Sequence, residues 1–148
     1  MGALADACLE AGGEVIGVIT RRLLELEVGH GGCQELIVVD SMLERKTKMA
    51  ELSDAFISLP GGIGTLDEML EMLTWSQLDI HQKPSGLLNV DGYFDGMLSF
   101  FETVQREQFV RPEHLRMLVA EERLDDLLGK LRAYQPELVA KWPIQSNV

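Results

Sequence analysis

Apolar positions recur along the chain at two periods, and their alternation predicts a succession of helices and strands. Ala3, Leu4, Ala7, Cys8 and Ala11 fall at helical spacing over residues 2–11, and Gly12-Gly13 ends that run as a helix C-cap does. Residues 14–19 carry the β-branched run Val15-Ile16-Gly17-Val18-Ile19 and predict a buried strand. Residues 20–33 form a long glycine-bearing loop with room for a short helix over 21–24, and loops of that length in compact domains are often functional. Residues 36–39 predict the next strand. Asp40 or Ser41 then caps a helix to about Leu52, with Met42, Met49 and Leu52 on its apolar side.

The second half repeats the theme. Residues 54–59 are an apolar run that predicts a buried strand, and Pro60-Gly61-Gly62-Ile63-Gly64 interrupts it. An amphipathic helix starts near Thr65 and runs to about Ile80, with Leu66, Met69, Leu70, Met72 and Leu73 on its apolar face. A strand at 87–90 closes with an Asp91-Gly92 turn. The helix at 93–108 turns Phe94, Met97, Leu98, Phe101 and Val104 inward. A helical turn from Pro112, a strand at 117–120 and a helix at 122–133 with Leu124, Leu127, Leu128 and Leu131 complete the pattern. Residues 1–133 read as one domain and 134–148, with Pro136 and Pro143, as an irregular tail. Strands alternating with helices predict an α/β fold, a parallel sheet covered by helices on both faces. Ligands in such sheets bind beyond the carboxyl ends of the strands.

Two stretches lie at such ends. In the first, Gly61, Gly62 and Gly64 allow positive φ and let a ligand approach bare backbone. The helix that follows points its free N–H groups and positive dipole end at that ligand, so the turn suits an anion, above all phosphate. Glycine turns also arise for geometric reasons alone, and the spacing here is neither Gly-x-Gly-x-x-Gly nor a P-loop. The polar residues add weight. Thr65 can cap the helix or bond a phosphate oxygen, and Asp67 and Glu68 are expected in the first helical turn. Glu68 is either a carboxylate placed to favour the dipole or one beside a bound anion, where it helps neither unless something reacts. In the second stretch, Arg45 and Lys46 stand near a helix start, where cations are disfavoured. They are a solvated basic pair bridging to Glu44 or Glu51, or they serve a ligand.

Composition narrows the field. With 148 residues, 46% hydrophobic, the chain is long enough for a real core. A formal charge of −11 argues against broad nucleic-acid or anionic-membrane binding, which needs a basic surface. No apolar run approaches the roughly 20 residues of a membrane span, and the first residues lack a basic signal-peptide region. Cys8 and Cys33 read as reduced thiols of a cytoplasmic protein, with no spacing for a disulfide or a metal. His30, His81 and His114 are scattered in loop-like contexts and are expected to be solvated.

The residues Pro60 to Glu68 match Pro-Gly-Gly-x-Gly-Thr-x-x-Glu, and Met42 to Lys46 resembles Met-x-x-Arg-Lys. Trp75 to Pro84 and Gly86 to Tyr93 are similar to the same source. Together these resemble the LONELY GUY (LOG) family of cytokinin riboside 5′-monophosphate phosphoribohydrolases, formerly often called possible lysine decarboxylases. The resemblance covers nearly the whole chain and implies a Rossmann-like fold. LOG-like proteins have a strand, a helix and a second strand before the element that opens this sequence. The resemblance therefore implies an N-terminally truncated sheet with open strand edges, and the absence of the family's first Gly-Ser-rich loop.

The resemblance further implies hydrolysis of a nucleoside 5′-monophosphate to free base and ribose 5-phosphate, with no cofactor and no metal. On that reading Arg45 and Glu68 are the catalytic residues. Gly61, Gly62, Ile63, Gly64, Thr65, Leu66 and Asp67 hold phosphate or ribose, Lys46 supports the phosphate, Glu27 bonds the purine edge and Thr74 occupies a ligand position. Trp75, Met69 and Met72 read as core or dimer packing, and a homodimer or larger homo-oligomer is implied. Two other readings compete. One is a nucleotide- or molybdenum-cofactor-binding carrier of the same fold without catalysis. The other is an amino-acid decarboxylase, whose chemistry normally needs a pyridoxal-phosphate lysine to which nothing in the sequence points.

Overall fold

A computed structural model describes residues 1–26 and 31–136 of the chain. They fall into two compact units, one ending at Ser53 and the other beginning at Asp54. Every strand pairing is parallel, and helices alternate with the strands in an α/β, Rossmann-like arrangement.

The first unit runs α1 (Gly2–Glu10), β1 (Ile16–Thr20), α2 (Arg21–Leu26), β2 (Glu35–Val39) and α3 (Met42–Leu52). Gly12 at φ +79 takes the left-handed conformation that ends α1. The expected short helix after β1 is longer than its pattern indicates, extending to Leu26. β1 and β2 pair in register from Ile16↔Glu35 to Thr20↔Val39, and α2 and α3 lie against both strands. The strands are less buried than their apolar sequence implies. Only Thr20 and Val39 are buried, while Ile16, Leu36 and Val38 stay exposed. A two-stranded sheet leaves much of its face uncovered. α3 likewise buries only Ala50, and Met42 and Leu52 of its expected apolar side are exposed.

Ser41 is the N-cap of α3. Its Oγ accepts the Glu44 N–H at 3.1 Å, and Glu44 Oε2 accepts the Asp40 N–H at 3.0 Å. This reciprocal arrangement is close to a capping box and fixes where the helix leaves β2.

The second unit contains β3 (Phe56–Ser58), α4 (Ile63–Gln77), β4 (Ser85–Leu88), α5 (Asp95–Arg106), α6 (Pro112–Leu115), β5 (Leu118–Glu121) and α7 (Leu124–Ala133). The strand order is β3-β4-β5, with Phe56↔Ser85 and Ser85↔Leu118 in register. Successive residues of β4 face opposite sides of the sheet. Leu87, fully buried, packs with Met69 of α4 and Phe94, against Met97 and Leu98 of α5. Gly86 faces α7, where a Cβ would stand 2.8 Å from Leu127 and 3.2 Å from Leu131. The sheet is thus covered on both faces.

α4 starts two residues before Thr65 and ends at Gln77, where Asp79 adopts φ 57. Met69, Met72 and Leu73 are buried as their spacing predicts, and Leu70 is exposed. Two histidines depart from expectation. His114 is buried in α6, and His81 is half-buried against the rings of Phe56 and Trp75 at 5.2 and 6.5 Å. Burial of this kind is set by tertiary packing, which local sequence polarity does not reveal. His30 lies outside the described residues.

Candidate active site

The glycine turn lies at the carboxyl end of β3, and Gly62 is the N-cap of α4. No side chain among the described residues caps this helix. Its first intrahelical bond is Leu66 N–H to the Gly62 carbonyl at 3.2 Å. The N–H groups of residues 62–65 therefore point off the helix end, as an anion site requires. Leu66 continues the helix inward. Its N–H is used within the helix, and its side chain packs on the core.

The glycines work otherwise than expected. None of Gly61, Gly62 and Gly64 has positive φ. Gly61 is needed because Thr65 Oγ1 occupies the place of a Cβ there. At Gly62 and Gly64 a Cβ would meet nothing within 4 Å. These two leave the helix end open. Thr65 sits inside the first turn and cannot be the N-cap, since the helix begins at Ile63. Asp67 and Glu68 correspondingly fall in the second turn. Asp67 is exposed and Glu68 half-buried. Ile63 is 82% exposed, an apolar side chain held open beside the glycines.

Thr74 shares α4 with the turn, but it lies nine residues beyond Thr65, about 14 Å along the axis. Its hydroxyl donates to the Leu70 carbonyl at 2.7 Å.

A residue the sequence left without a role completes the turn. Tyr93 OH donates to the Gly61 carbonyl at 2.7 Å across 32 residues. The signal was present: β3 and β4 are parallel neighbours, so the segments after their carboxyl ends lie side by side.

In the first unit, Arg45 and Lys46 are both half-buried on α3. Arg45 Nε donates to the Val18 carbonyl of β1 at 3.2 Å, which lays the guanidinium across that strand. Lys48 takes Glu51, at 2.5 Å. Arg45 and Lys46 thus belong to the first unit, and the glycine turn, Glu68 and Thr74 to the second. Glu27 lies outside the described residues.

Cys8 and Cys33 are not joined in a disulfide. Among the described residues no group of three or more His, Cys, Asp and Glu side chains could hold a metal ion, and no helix is long and apolar enough to cross a membrane.

Comparison with known proteins matches residues 1–131 to the family described as possible lysine decarboxylase. A cytokinin riboside 5′-monophosphate phosphoribohydrolase of Arabidopsis thaliana is 43% identical over 153 positions, covering 100% of this chain and 67% of that protein. A protein of the same name from Oryza sativa subsp. japonica is 45% identical over 137 positions, covering 93% of this chain and 57% of its own length. The chain spans between 54% and 67% of the length of the curated relatives it matches.

Proposed function

The chain belongs to the possible lysine decarboxylase family, and from that premise we propose that it hydrolyses the N-glycosidic bond of adenine or cytokinin nucleoside 5′-monophosphates. The products are free base and ribose 5-phosphate. The family description alone suggests a decarboxylase. The relatives named for an activity are phosphoribohydrolases.

The observation that carries this reading is the uncapped amino end of α4, opened by Gly62 and Gly64. It is suited to the 5′-phosphate, because aligned N–H groups and the helix dipole both favour an anion. As the base departs, the ribose acquires oxocarbenium character, and a carboxylate stabilises that charge or orients the attacking water. Glu68, one turn further along α4, is the candidate. Arg45 is the second catalytic candidate, for binding phosphate or assisting the leaving base, and Lys46 is the candidate phosphate support. Glu27 is proposed for the purine edge, and Asp67 and Thr74 for substrate contacts.

A reducing, cytoplasmic setting is proposed, in which Cys8 and Cys33 stay as thiols. The exposed Phe100 and Phe109, at 61% and 83%, provide apolar surface for a homodimer or larger homo-oligomer.

The test is product analysis. Incubation with AMP or N6-isopentenyl-AMP is expected to yield base and ribose 5-phosphate in equal amounts, and Glu68→Gln is expected to yield neither. Binding of the nucleotide with no base released by the wild-type protein would replace the enzyme with a carrier.

A further inference from the structure

The Gly61–Gly62 peptide is the point of the turn most free to rotate, because neither residue has a Cβ to resist it. Its orientation decides whether an N–H or a carbonyl oxygen faces the mouth of α4. One contact settles the matter. Tyr93 OH donates to the Gly61 carbonyl at 2.7 Å. In a planar trans peptide the C=O and the following N–H point in opposite directions, and no peptide among the described residues is cis. Fixing the Gly61 oxygen on Tyr93 therefore turns the Gly62 N–H away from the tyrosine.

Tyr93 is itself held firmly. Its ring meets Phe94 edge-on at 5.0 Å and 89°. Phe94 is buried, and its N–H donates to Asn89 Oδ1 at 2.6 Å. Asn89, also buried, donates from Nδ2 to Asp95 Oδ1 at 2.7 Å and from its own N–H to the Glu121 carbonyl of β5 at 2.8 Å. Between them Asp91 and Gly92 take φ 51 and φ 71, a left-handed pair that reverses the chain and aims Tyr93 back at the turn. Asp95 Oδ2 stands 2.5 Å from where a Cβ on Gly92 would be, so the tight turn admits only glycine there. Yet Tyr93 is 56% exposed. A side chain this open contributes little to the core, while its backbone is tightly determined.

We propose that Tyr93 is a positioning residue that locks the Gly61–Gly62 peptide with its N–H toward the phosphate of the substrate. The inference rests on the phosphoribohydrolase reading for the identity of the anion. Tyr93→Phe removes the hydroxyl and keeps the ring. Its test is titration of ribose 5-phosphate into wild type and Tyr93→Phe, followed by the backbone amide resonance of Gly62, beside thermal unfolding and base release from AMP. In wild type the Gly62 resonance is expected to move on titration. The variant is expected to bind ribose 5-phosphate about three- to tenfold more weakly, the span of one lost hydrogen bond. Its KM for AMP should rise in proportion, with kcat changed less and the unfolding midpoint unmoved. Equal affinity in the two proteins, no binding by wild type, or a loss that only tracks a lowered midpoint overturns the inference. Weakened binding by the variant with no base release by wild type upholds Tyr93 and removes the hydrolase reading. Base release unaltered by the substitution does the reverse.

Discussion

Thr65 crowds the space that a side chain on Gly61 would need, its hydroxyl oxygen within clashing distance of the Cβ position and its own Cβ 3.1 Å away. The neighbouring glycine differs: Gly62 has φ −90 and ψ −156, ordinary extended backbone, with nothing within 4 Å. Adjacent glycines thus serve separate purposes, one packing and one access.

Alanine substitutions separate the two. Gly61→Ala must displace Thr65 and the start of α4, and is expected to cost about 1–3 kcal/mol in stability. Gly62→Ala is expected to stay within about 0.5 kcal/mol of wild type while weakening nucleotide binding. Thermal unfolding and equilibrium binding measured on both variants check the pair.

Arg45 supports the fold as well as the proposed chemistry. Its Nε bond to the Val18 carbonyl is partly buried. Arg45→Ala is expected to lower stability by about 1–2 kcal/mol, as for a hydrogen bond to a charged group with some solvent access. Glu68→Gln, nearly isosteric, is expected to abolish base release with a smaller change in stability. Urea unfolding of the two variants beside their activity makes the comparison.

Much of this was legible in the sequence, for a physical reason. The apolar runs around Ile16, Leu36, Ile57 and Leu87 and the periodic faces of α4 and α7 are local patterns, and local patterns specify elements. Pro60-Gly61-Gly62 marked the turn. The start of α4 is not legible in sequence because Gly62 caps with backbone alone, whereas Thr65 has the side chain of a cap. The Tyr93–Gly61 bond, the Arg45–Val18 bond and the burial of His81 and His114 each join residues distant in sequence or depend on how helices pack. No window of neighbouring residues contains them.

The second unit depends on the two faces of β4. Leu87 is fully buried, so Leu87→Ala is expected to cost about 2–5 kcal/mol. Gly86→Val would drive methyl groups into Leu127 and Leu131, with an expected loss of about 1–3 kcal/mol or more. Chemical denaturation of each variant measures both.

His81 gives the protein a pH dependence of known sign. Burial first, and the Lys83 charge second, push its pKa below the ordinary 6.5, against a smaller opposing effect of the Met72 backbone. The unfolded chain then binds a proton more readily than the folded one. The stabilisation is complete above about pH 6.5 and is lost as pH falls through the lower folded pKa. Wild type is expected to lose more of its unfolding midpoint between pH 7.5 and pH 5 than His81→Phe, whose ring can still pack on Phe56 and Trp75. Parallel melting curves at the two pH values read the difference.

On the proposed function, the open amino end of α4 takes the 5′-phosphate of a nucleotide whose glycosidic bond is then cleaved. Comparing N6-isopentenyl-AMP with the riboside that lacks the phosphate, with free base quantified by chromatography, tests it most directly. Base release is expected from the monophosphate and little or none from the riboside. Equal release from both, or none from the monophosphate, would contradict it.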